Sequence, residues 1–278
     1  MTIDTVAVAT DFSSRADRAI DRGKQLRQSA GAKLRFIHAT SLPEDDPADE
    51  GALTTKMRLV TGLDNKEDGV EFVFPAGSPP AAIANACARD DVSMLVIGPA
   101  RYNTLGDFFL GTAVDYVLRN MTKPVLVAKM RANAPYRQII AGTDFSIGSA
   151  HAIITAARMF PDAAIHIVHA WHVPFQAWQQ DSYVADEVEG GARADMDRFM
   201  AQIAEREGRL ADATSDLIRN NASEAIRKGL QLDPSALVVV GSHGSSGFRQ
   251  AAIGSVTSDL LRAIDADTLV VNTRDAEV

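Results

Sequence analysis

The octapeptide Val-Ala-Val-Ala-Thr-Asp-Phe-Ser at residues 6–13 returns as Ile-Ile-Ala-Gly-Thr-Asp-Phe-Ser at residues 139–146. Further matched pairs follow in the same order: Leu-Arg-Phe-Ile-His-Ala at 34–39 with Ile-His-Ile-Val-His-Ala at 165–170, Leu-Val-Ile-Gly at 95–98 with Val-Val-Val-Gly at 238–241, and Gly111-Thr112 with Gly254-Ser255. The spacing between partners is 133, 131, 143 and 143 residues in turn, which is the length of a whole domain rather than of a solenoid unit. The sequence therefore predicts a duplicated domain.

The boundary between the copies is expected near Met130 to Tyr136, because residues 131–135, Arg-Ala-Asn-Ala-Pro, are polar, small and broken by proline. We predict domains over residues 1–131 and 136–278. A chain of 278 residues and 29.8 kDa agrees with two domains of about 140 residues each.

Short apolar runs alternate with helical patterns in each copy, and such runs are typical of strands buried on both faces. Ser13 or Ser14 is the expected N-cap of the helix after the first strand, and Gly31 its C-terminal stop. The order of elements predicts an α/β fold with two doubly wound domains in tandem, each a parallel sheet with helices on both faces. The predicted strands are 5–10, 33–39, 70–74, 93–98 and 124–128, then 137–143, 164–170, 214–218, 236–241 and 268–272, and further helices are 79–89, 112–121 and 186–207.

Composition excludes several classes of protein. Lys plus Arg is 28 against 36 for Asp plus Glu, a net charge of -8, which argues against a nucleic-acid binder. The one cysteine, Cys87, suits a reducing cytosol and is expected to be buried and inert. No run approaches the roughly 18 apolar residues of a membrane span, and the first residues do not resemble a signal peptide. We expect a cytoplasmic protein.

Polar and glycine-rich segments follow the strands of the second copy. Asp144 follows its first strand, His169-Ala170-Trp171 ends its second, and residues 241–247, Gly-Ser-His-Gly-Ser-Ser-Gly, follow its fourth. Ligands of open parallel sheets lie beyond the carboxyl ends of the strands. A glycine-rich turn and a helix N-terminus at Gly254-Ser255 favour a phosphate group, while an acidic side chain can bind a base, a sugar or a metal ion.

At these residues the sequence resembles tandem members of the universal stress protein family. The family's motif, G-x2-G-x9-G-[S/T], is matched by Gly241, Gly244, Gly254 and Ser255. The resemblance implies five parallel strands per half, an adenine nucleotide alpha hydrolase-like fold, and bound ATP or a related adenine nucleotide, often with Mg. By that resemblance Gly142, Thr143, Asp144 and Ala170 would line the adenine and ribose end, and Gly241, Ser242, His243, Gly244, Gly254, Ser255 and Val256 would hold ribose and phosphates.

The first copy departs from this motif. It has Arg101 at the second glycine, with Pro99 in the same turn, although Gly98, Gly111 and Thr112 are retained. An arginine side chain there would fill the space of the phosphates or require a backbone angle that only glycine takes easily. The alternative is that its guanidinium binds an anion. We favour a degenerate first site, with Asp11 as its vestige.

Other features have simpler explanations. His166, His169 and His172 are three residues apart on a strand, where such neighbours face opposite sides, so packing is favoured over a joint metal site. The acidic run at residues 44–50 is expected to be a solvated loop. Trp171 and Trp178 are expected to pack rather than to cover an adenine. His243 is expected to position phosphates rather than act as a base.

Three functions follow from these observations. The leading one is a nucleotide-binding, stress-response protein whose ATP occupancy changes its shape or partners, with no catalytic residue assigned. The alternative is an enzyme of the same fold, a slow ATP hydrolase or a transferase using adenylate chemistry. The third is an interaction module without a ligand. The resemblance also implies pairing of the last strands, 125–128 with 269–272, as an intrachain pseudo-dimer, and two such chains could associate into a homodimer.

Overall fold

The computed structural model describes residues 2–40, 47–89, 91–99, 112–172, 182–242 and 253–272. The first half holds strands β1 Thr5–Ala9, β2 Lys33–Ile37, β3 Val70–Val73, β4 Met94–Ile97 and β5 Val125–Val127, with helices α1 Asp17–Ala30, α2 Pro47–Thr61, α3 Pro79–Cys87 and α4 Thr112–Asn120. The second half holds β6 Gln138–Gly142, β7 Ala164–Trp171, β8 Thr214–Arg219, β9 Leu237–Gly241 and β10 Thr268–Val271, with α5 Ile147–Met159, α6 Ser182–Arg206, α7 Ala222–Leu230 and α8 Ser255–Ala263.

The ten strands form one sheet in the order β3-β2-β1-β4-β5-β10-β9-β6-β7-β8. Pairing is parallel within each half, and β5 and β10 pair antiparallel with Leu126 opposite Leu269. The α/β fold with two five-stranded parallel sheets is therefore confirmed, and the last strands of the two halves do pair within the chain. The domain limits 1–131 and 136–278 stay predictions.

Each central strand is buried on both faces, which explains its uninterrupted apolar sequence. On β1, Val6 and Val8 pack into a cluster with α1, α5 and α6, while Ala7 packs on the opposite face with α3, α4, α7 and α8. Both clusters continue across the β5–β10 pair. The sheet therefore carries one layer of helices on each side, as expected for doubly wound domains.

A buried polar cluster joins the halves, and we call it the junction network. Asp267, just before β10, accepts hydrogen bonds from the amides of Lys129 at 2.6 Å and Met130 at 2.7 Å. Its other oxygen accepts from the Tyr136 hydroxyl at 2.6 Å and lies 2.9 Å from Arg22 of α1. The carboxylate is 1% exposed, and removing one partner of such a buried pair costs about 3–5 kcal/mol. The network fixes the second half against α1 of the first.

Some local predictions were wrong. Neither Ser13 nor Ser14 caps α1, since its N-cap is Ala16, with no side-chain hydrogen bond. The acidic run was expected to be a loop, but its residues 47–50 begin α2, and residues 44–46 lie outside the described residues. Helix α6 begins at Ser182 rather than at 186. The stop at Gly31, with φ 68°, is confirmed.

None of the helices in the described parts of the chain is both long and apolar enough to cross a bilayer.

Candidate functional site

A pocket of about 480 Å³ opens in the second half at the carboxyl ends of β6, β7 and β9, and we call it the strand-end pocket. Helices α7 and α8 form its outer side. Its described lining is Gly142, Thr143, Asp144, Ser149, Val168, His169, Ala170, Ala222, Ala225, Ile226, Val240, Gly241, Gly254, Ser255, Val256, Thr257 and Leu260. The structure thus brings together eight of the eleven residues expected at a nucleotide site: Gly142, Thr143, Asp144, Ala170, Gly241, Gly254, Ser255 and Val256.

The other three expected residues do not appear in that lining. The side chain of Ser242 is buried at 1% exposure, and its amide donates to the Val271 carbonyl at 2.8 Å. Ser242 therefore supports the pocket from behind. His243 and Gly244 lie outside the described residues.

One wall of the pocket is apolar. Ala222, Ala225 and Ile226 of α7 face Val168 and Val240 of the sheet. The floor is Gly142, where a Cβ would lie 3.5 Å from Ile226 and 3.6 Å from Val240. A glycine at this position leaves a slot that is open to a flat apolar group such as an aromatic ring.

The residues of α7 were missed by the sequence analysis, as were Ser149, Thr257 and Leu260. The signal for α7 was present, because Asn221 precedes Ala222, Ala225 and Ile226 at helical spacing. In the structure the Asn221 side chain caps the helix by accepting from the Glu224 amide at 3.0 Å.

The loop after β6, residues Thr143–Ser146, presents an exposed carboxylate at the pocket mouth, and we call it the second aspartate loop. One oxygen of Asp144 accepts from the Ser146 hydroxyl at 2.5 Å and from the Ser146 amide at 3.2 Å. Phe145 takes φ 62°, a left-handed conformation that costs a bulky residue about 1–2 kcal/mol. Such strain is retained only where surrounding contacts hold it.

His169 is one of those contacts. Its Nδ1 lies 2.8 Å from the Thr143 carbonyl oxygen, and its ring stacks on Phe145 with centroids 4.1 Å apart. Because a carbonyl oxygen only accepts, Nδ1 carries the proton. His166 instead contacts Thr214, at 2.8 Å from Nδ1 to the hydroxyl. The two rings therefore serve different neighbours, and among the described residues no group of three His, Cys, Asp or Glu side chains is arranged to hold a metal ion.

The N-terminus of α8 also lines the pocket. The Gly254 amide donates to the Ser242 carbonyl at 2.9 Å, and the Thr257 hydroxyl donates to the Gly241 carbonyl at 2.8 Å. These bonds hold the start of α8 against the end of β9. A helix N-terminus carries amide donors and a partial positive charge, which favour an anion. The pocket thus has an apolar slot, a carboxylate and an anion-favouring end.

The first half repeats the aspartate loop at Thr10–Ser13. Phe12 takes φ 61°, its ring lies 3.9 Å from that of His38, and His38 Nδ1 lies 2.9 Å from the Thr10 carbonyl oxygen. Burial raises the pKa of Asp11, but the hydrogen bonds from Ser13 and from its own amide, together with the charge of Arg15, outweigh burial, so the pKa of that carboxyl is lowered and it is anionic at neutral pH.

Beyond that loop the first half differs. The carbonyl oxygen of Arg15 lies 2.8 Å from where a Cβ would sit on Gly98, the counterpart of Gly241, so the backbone before α1 packs closely against the end of β4 on the face that α1 covers. Arg101 and Gly111 lie outside the described residues. The degenerate first site, which was inferred from Arg101, therefore stays a prediction.

The expectation for Cys87 is confirmed, since the thiol is buried and burial raises its pKa to about 12. Trp171 is buried as expected, and Trp178 lies outside the described residues.

Comparison with known proteins agrees with this architecture. The model of the universal stress protein family matches residues 2–129 and again residues 135–272. A universal stress protein of Thermus aquaticus is 28% identical over 138 residues, which are 45% of this chain and 98% of that protein.

Two solved structures share the fold over nearly the whole length. A protein of unknown function from Pseudomonas aeruginosa PAO1 has a TM-score of 0.66 at 18% identity, covering 99% of this chain and 94% of that one. A universal stress protein from Archaeoglobus fulgidus DSM 4304 has a TM-score of 0.66 at 17% identity, covering 98% and 99%. The chain belongs to the universal stress protein family, as a tandem member that carries the family domain twice.

Proposed function

We propose that the protein is a regulatory module of the stress response that binds one adenine nucleotide, ATP, in the strand-end pocket of its second half. The observation that supports this most is the combination of groups that line one pocket. An apolar slot over Gly142, the Asp144 carboxylate and the N-terminus of α8 at Ser255 all belong to its lining. A nucleoside triphosphate has three matching kinds of group: a flat base, a sugar with hydroxyl donors, and an anionic tail.

Each end of the pocket suits its part of the ligand. The base would enter the slot between α7 and the sheet, where Ala222 and Ala225 leave room for a ring. The carboxylate of Asp144 can accept from ribose hydroxyls, and charge-assisted bonds of this kind are worth roughly twice a neutral one. The phosphates would take amide donors from the start of α8 and the hydroxyl of Ser255.

Magnesium would bind mainly through the phosphates of the nucleotide. In proteins Mg²⁺ keeps several waters and is held by one or two side-chain oxygens together with the phosphates of the substrate. The described residues provide Asp144 and Ser255 as oxygen ligands near the pocket mouth. The ion would balance charge on the phosphates when they bind.

We propose occupancy rather than turnover as the function, in the cytoplasm. His169 is the histidine among the described lining residues, and its Nδ1 is bonded to the Thr143 carbonyl. Regulation requires that ATP bind two shapes of the protein, or two complexes with a partner, with different affinity. The single buried thiol suits a reducing compartment.

Calorimetric titration with ATP tests the proposal. The native chain is expected to bind one nucleotide per chain. Gly244→Arg copies Arg101 of the first half and should abolish binding, whereas Ser255→Ala should weaken it about tenfold through a lost hydroxyl contact. Thr112→Ala, at the counterpart of Ser255, is the matched control and should leave the affinity unchanged.

The outcomes separate the alternatives. Two nucleotides per chain would place a working site in the first half as well, and no binding by the native chain would refute the proposal. Steady release of phosphate or AMP by the native chain, absent in Ser255→Ala, would instead support the hydrolase or transferase.

A further inference from the structure

The segments that follow the two aspartate loops differ at one buried position. By the register of the repeat, Ser149 in the second half corresponds to Ala16 in the first. Both side chains are buried, at 5% and 7% exposure. The loops before them have the same phenylalanine φ and the same serine–aspartate hydrogen bond. Ser14 and Arg15 then correspond to Ile147 and Gly148, none of which is buried, so Ser149 is the first buried side chain that differs.

The Ser149 hydroxyl completes a chain of hydrogen bonds. The Phe145 amide donates to the Thr143 hydroxyl at 2.9 Å, and that hydroxyl lies 2.9 Å from Ser149 Oγ. Ser149 Oγ in turn donates to the Ser146 carbonyl at 2.9 Å. One proton per hydroxyl fixes the direction of the chain from Phe145 to Ser146. Linked hydrogen bonds of this kind strengthen one another.

The same chain starts α5 early. The Ser149 amide donates to Ser146 Oγ at 3.1 Å, which makes Ser146 the N-cap, and the helix begins at Ile147. In the first half Ser13 makes no such cap. The Ala16 amide bonds the Ser13 carbonyl at 2.9 Å, and α1 begins at Asp17.

The start of each helix differs next to the strand ends. Residues before Asp17 form a turn instead of a helix, with the Arg15 carbonyl packed against Gly98. In the second half the matching glycine, Gly241, and Ser149 itself line the strand-end pocket. The first turn of α5 is therefore part of the pocket wall.

We propose that Ser149 is a positioning residue that holds one wall of the strand-end pocket in place for the nucleoside part of the ligand, an inference that rests on the proposed function. Its hydroxyl holds Thr143 and Ser146 together, so the second aspartate loop turns directly into α5. Without it α5 starts later, as α1 does, and the wall formed by Thr143 and the first turn of α5 is no longer fixed. The effect falls on base and sugar, because the phosphates bind at α8.

Titration of the full chain with ATP and with adenosine tests this role. Ser149→Ala should weaken both ligands by the same factor, about tenfold, for the loss of two buried hydrogen bonds. Ser149→Thr keeps the hydroxyl and should stay within about threefold of native, a difference of roughly 0.6 kcal/mol. Thr155→Ala removes a buried hydroxyl from the same helix away from the pocket, and it should leave both affinities unchanged.

Hydrogen exchange on the ligand-free protein supplies a second readout. The amides of Ser149 and Ala150 bond to Ser146, so they should exchange faster in Ser149→Ala and not in Thr155→Ala. Equal affinities of Ser149→Ala and the native chain would overturn the positioning role and leave the proposed function intact. A loss of affinity with unchanged exchange would also overturn it, since Ser149 would then be a direct contact. If the native chain bound neither ligand, the proposed function would fail and this inference with it.

Discussion

The loops after β1 and β6 begin alike and end differently. In both, a phenylalanine with φ near 60° lies against the ring of a histidine whose Nδ1 bonds the carbonyl just before the aspartate. After the loop, α5 begins at Ile147 and Ser149 lines the strand-end pocket, whereas α1 begins only at Asp17 and the Arg15 carbonyl packs against Gly98. The comparison shows that the same aspartate loop can be followed by two different helix starts. Where the next helix begins is therefore a separate property from how the aspartate is presented.

The largest effect is expected from filling the pocket floor. Gly142→Leu should reduce ATP affinity more than about a hundredfold, or ~2.7 kcal/mol. A Cβ at this position already reaches contact distance of Ile226 and Val240, so the longer branches must occupy the slot. Titration of the variant with ATP measures the loss.

Ala9→Leu is the matched control, because Ala9 holds the same position at the end of β1. Overpacking there should destabilise the fold by about 1–3 kcal/mol and leave ATP affinity unchanged. A comparable loss of affinity in both variants would mean that the ligand does not lie over Gly142.

The fold was predictable from the sequence because the signals are local. Buried parallel strands are uninterrupted apolar runs. The sequence repeat also identified β6, β7 and β9 as the counterparts of β1, β2 and β4. The weak third strand of the second half, expected at 214–218, is present as β8. Its side chains are mostly exposed at the edge of the sheet, which is why its sequence carries little apolar signal.

The candidate site was predictable only in part, because some of its surface depends on how a helix packs against the sheet. Gly254 and Asp144 stand beside strand ends and could be placed from topology alone. The slot depends instead on how α7 lies against Val168 and Val240, which no motif records. The start of α1 was predicted wrongly for a similar reason. Ser13 has the right residue type for an N-cap, and its counterpart Ser146 does cap α5, but α1 begins only at Asp17.

A smaller effect should distinguish the two histidines. His169→Phe keeps the ring stacked on Phe145 but leaves the Thr143 carbonyl without its donor, so the second aspartate loop should loosen and ATP affinity should fall about tenfold. His38→Phe makes the same change in the first half and should leave ATP affinity unchanged. Both should lower the free energy of unfolding by about 1–2 kcal/mol. Titration and urea unfolding of the two variants measure these changes, and a weaker affinity in His38→Phe would show that the first half takes part in binding.

The smallest effect concerns Lys129, which joins the two halves beside the junction network. Its Nζ donates to the carbonyls of Leu261 at 2.7 Å and Ile264 at 2.5 Å, at the end of α8. Burial lowers the pKa of Lys129 to about 8, against the opposing charges of Asp265 and Asp267. The unfolded chain keeps this proton up to its ordinary pKa of 10.5. Between these values the folded chain has released a proton that the unfolded chain still holds, so stability from this group rises with pH.

Lys129→Met removes the titration and keeps an apolar stem. Between pH 7 and 9 the free energy of unfolding of the native chain should rise by about 1 kcal/mol relative to that of the variant. Titration of Cys87 lowers the free energy of unfolding as the pH rises above 9, because its folded pKa is raised to about 12. Cys87 is common to both proteins, so its contribution cancels in the difference. Urea unfolding at several pH values gives the two curves. Parallel curves would show that the amine at the end of α8 stays charged in the fold, and that the halves are joined there by an ion rather than by a neutral donor.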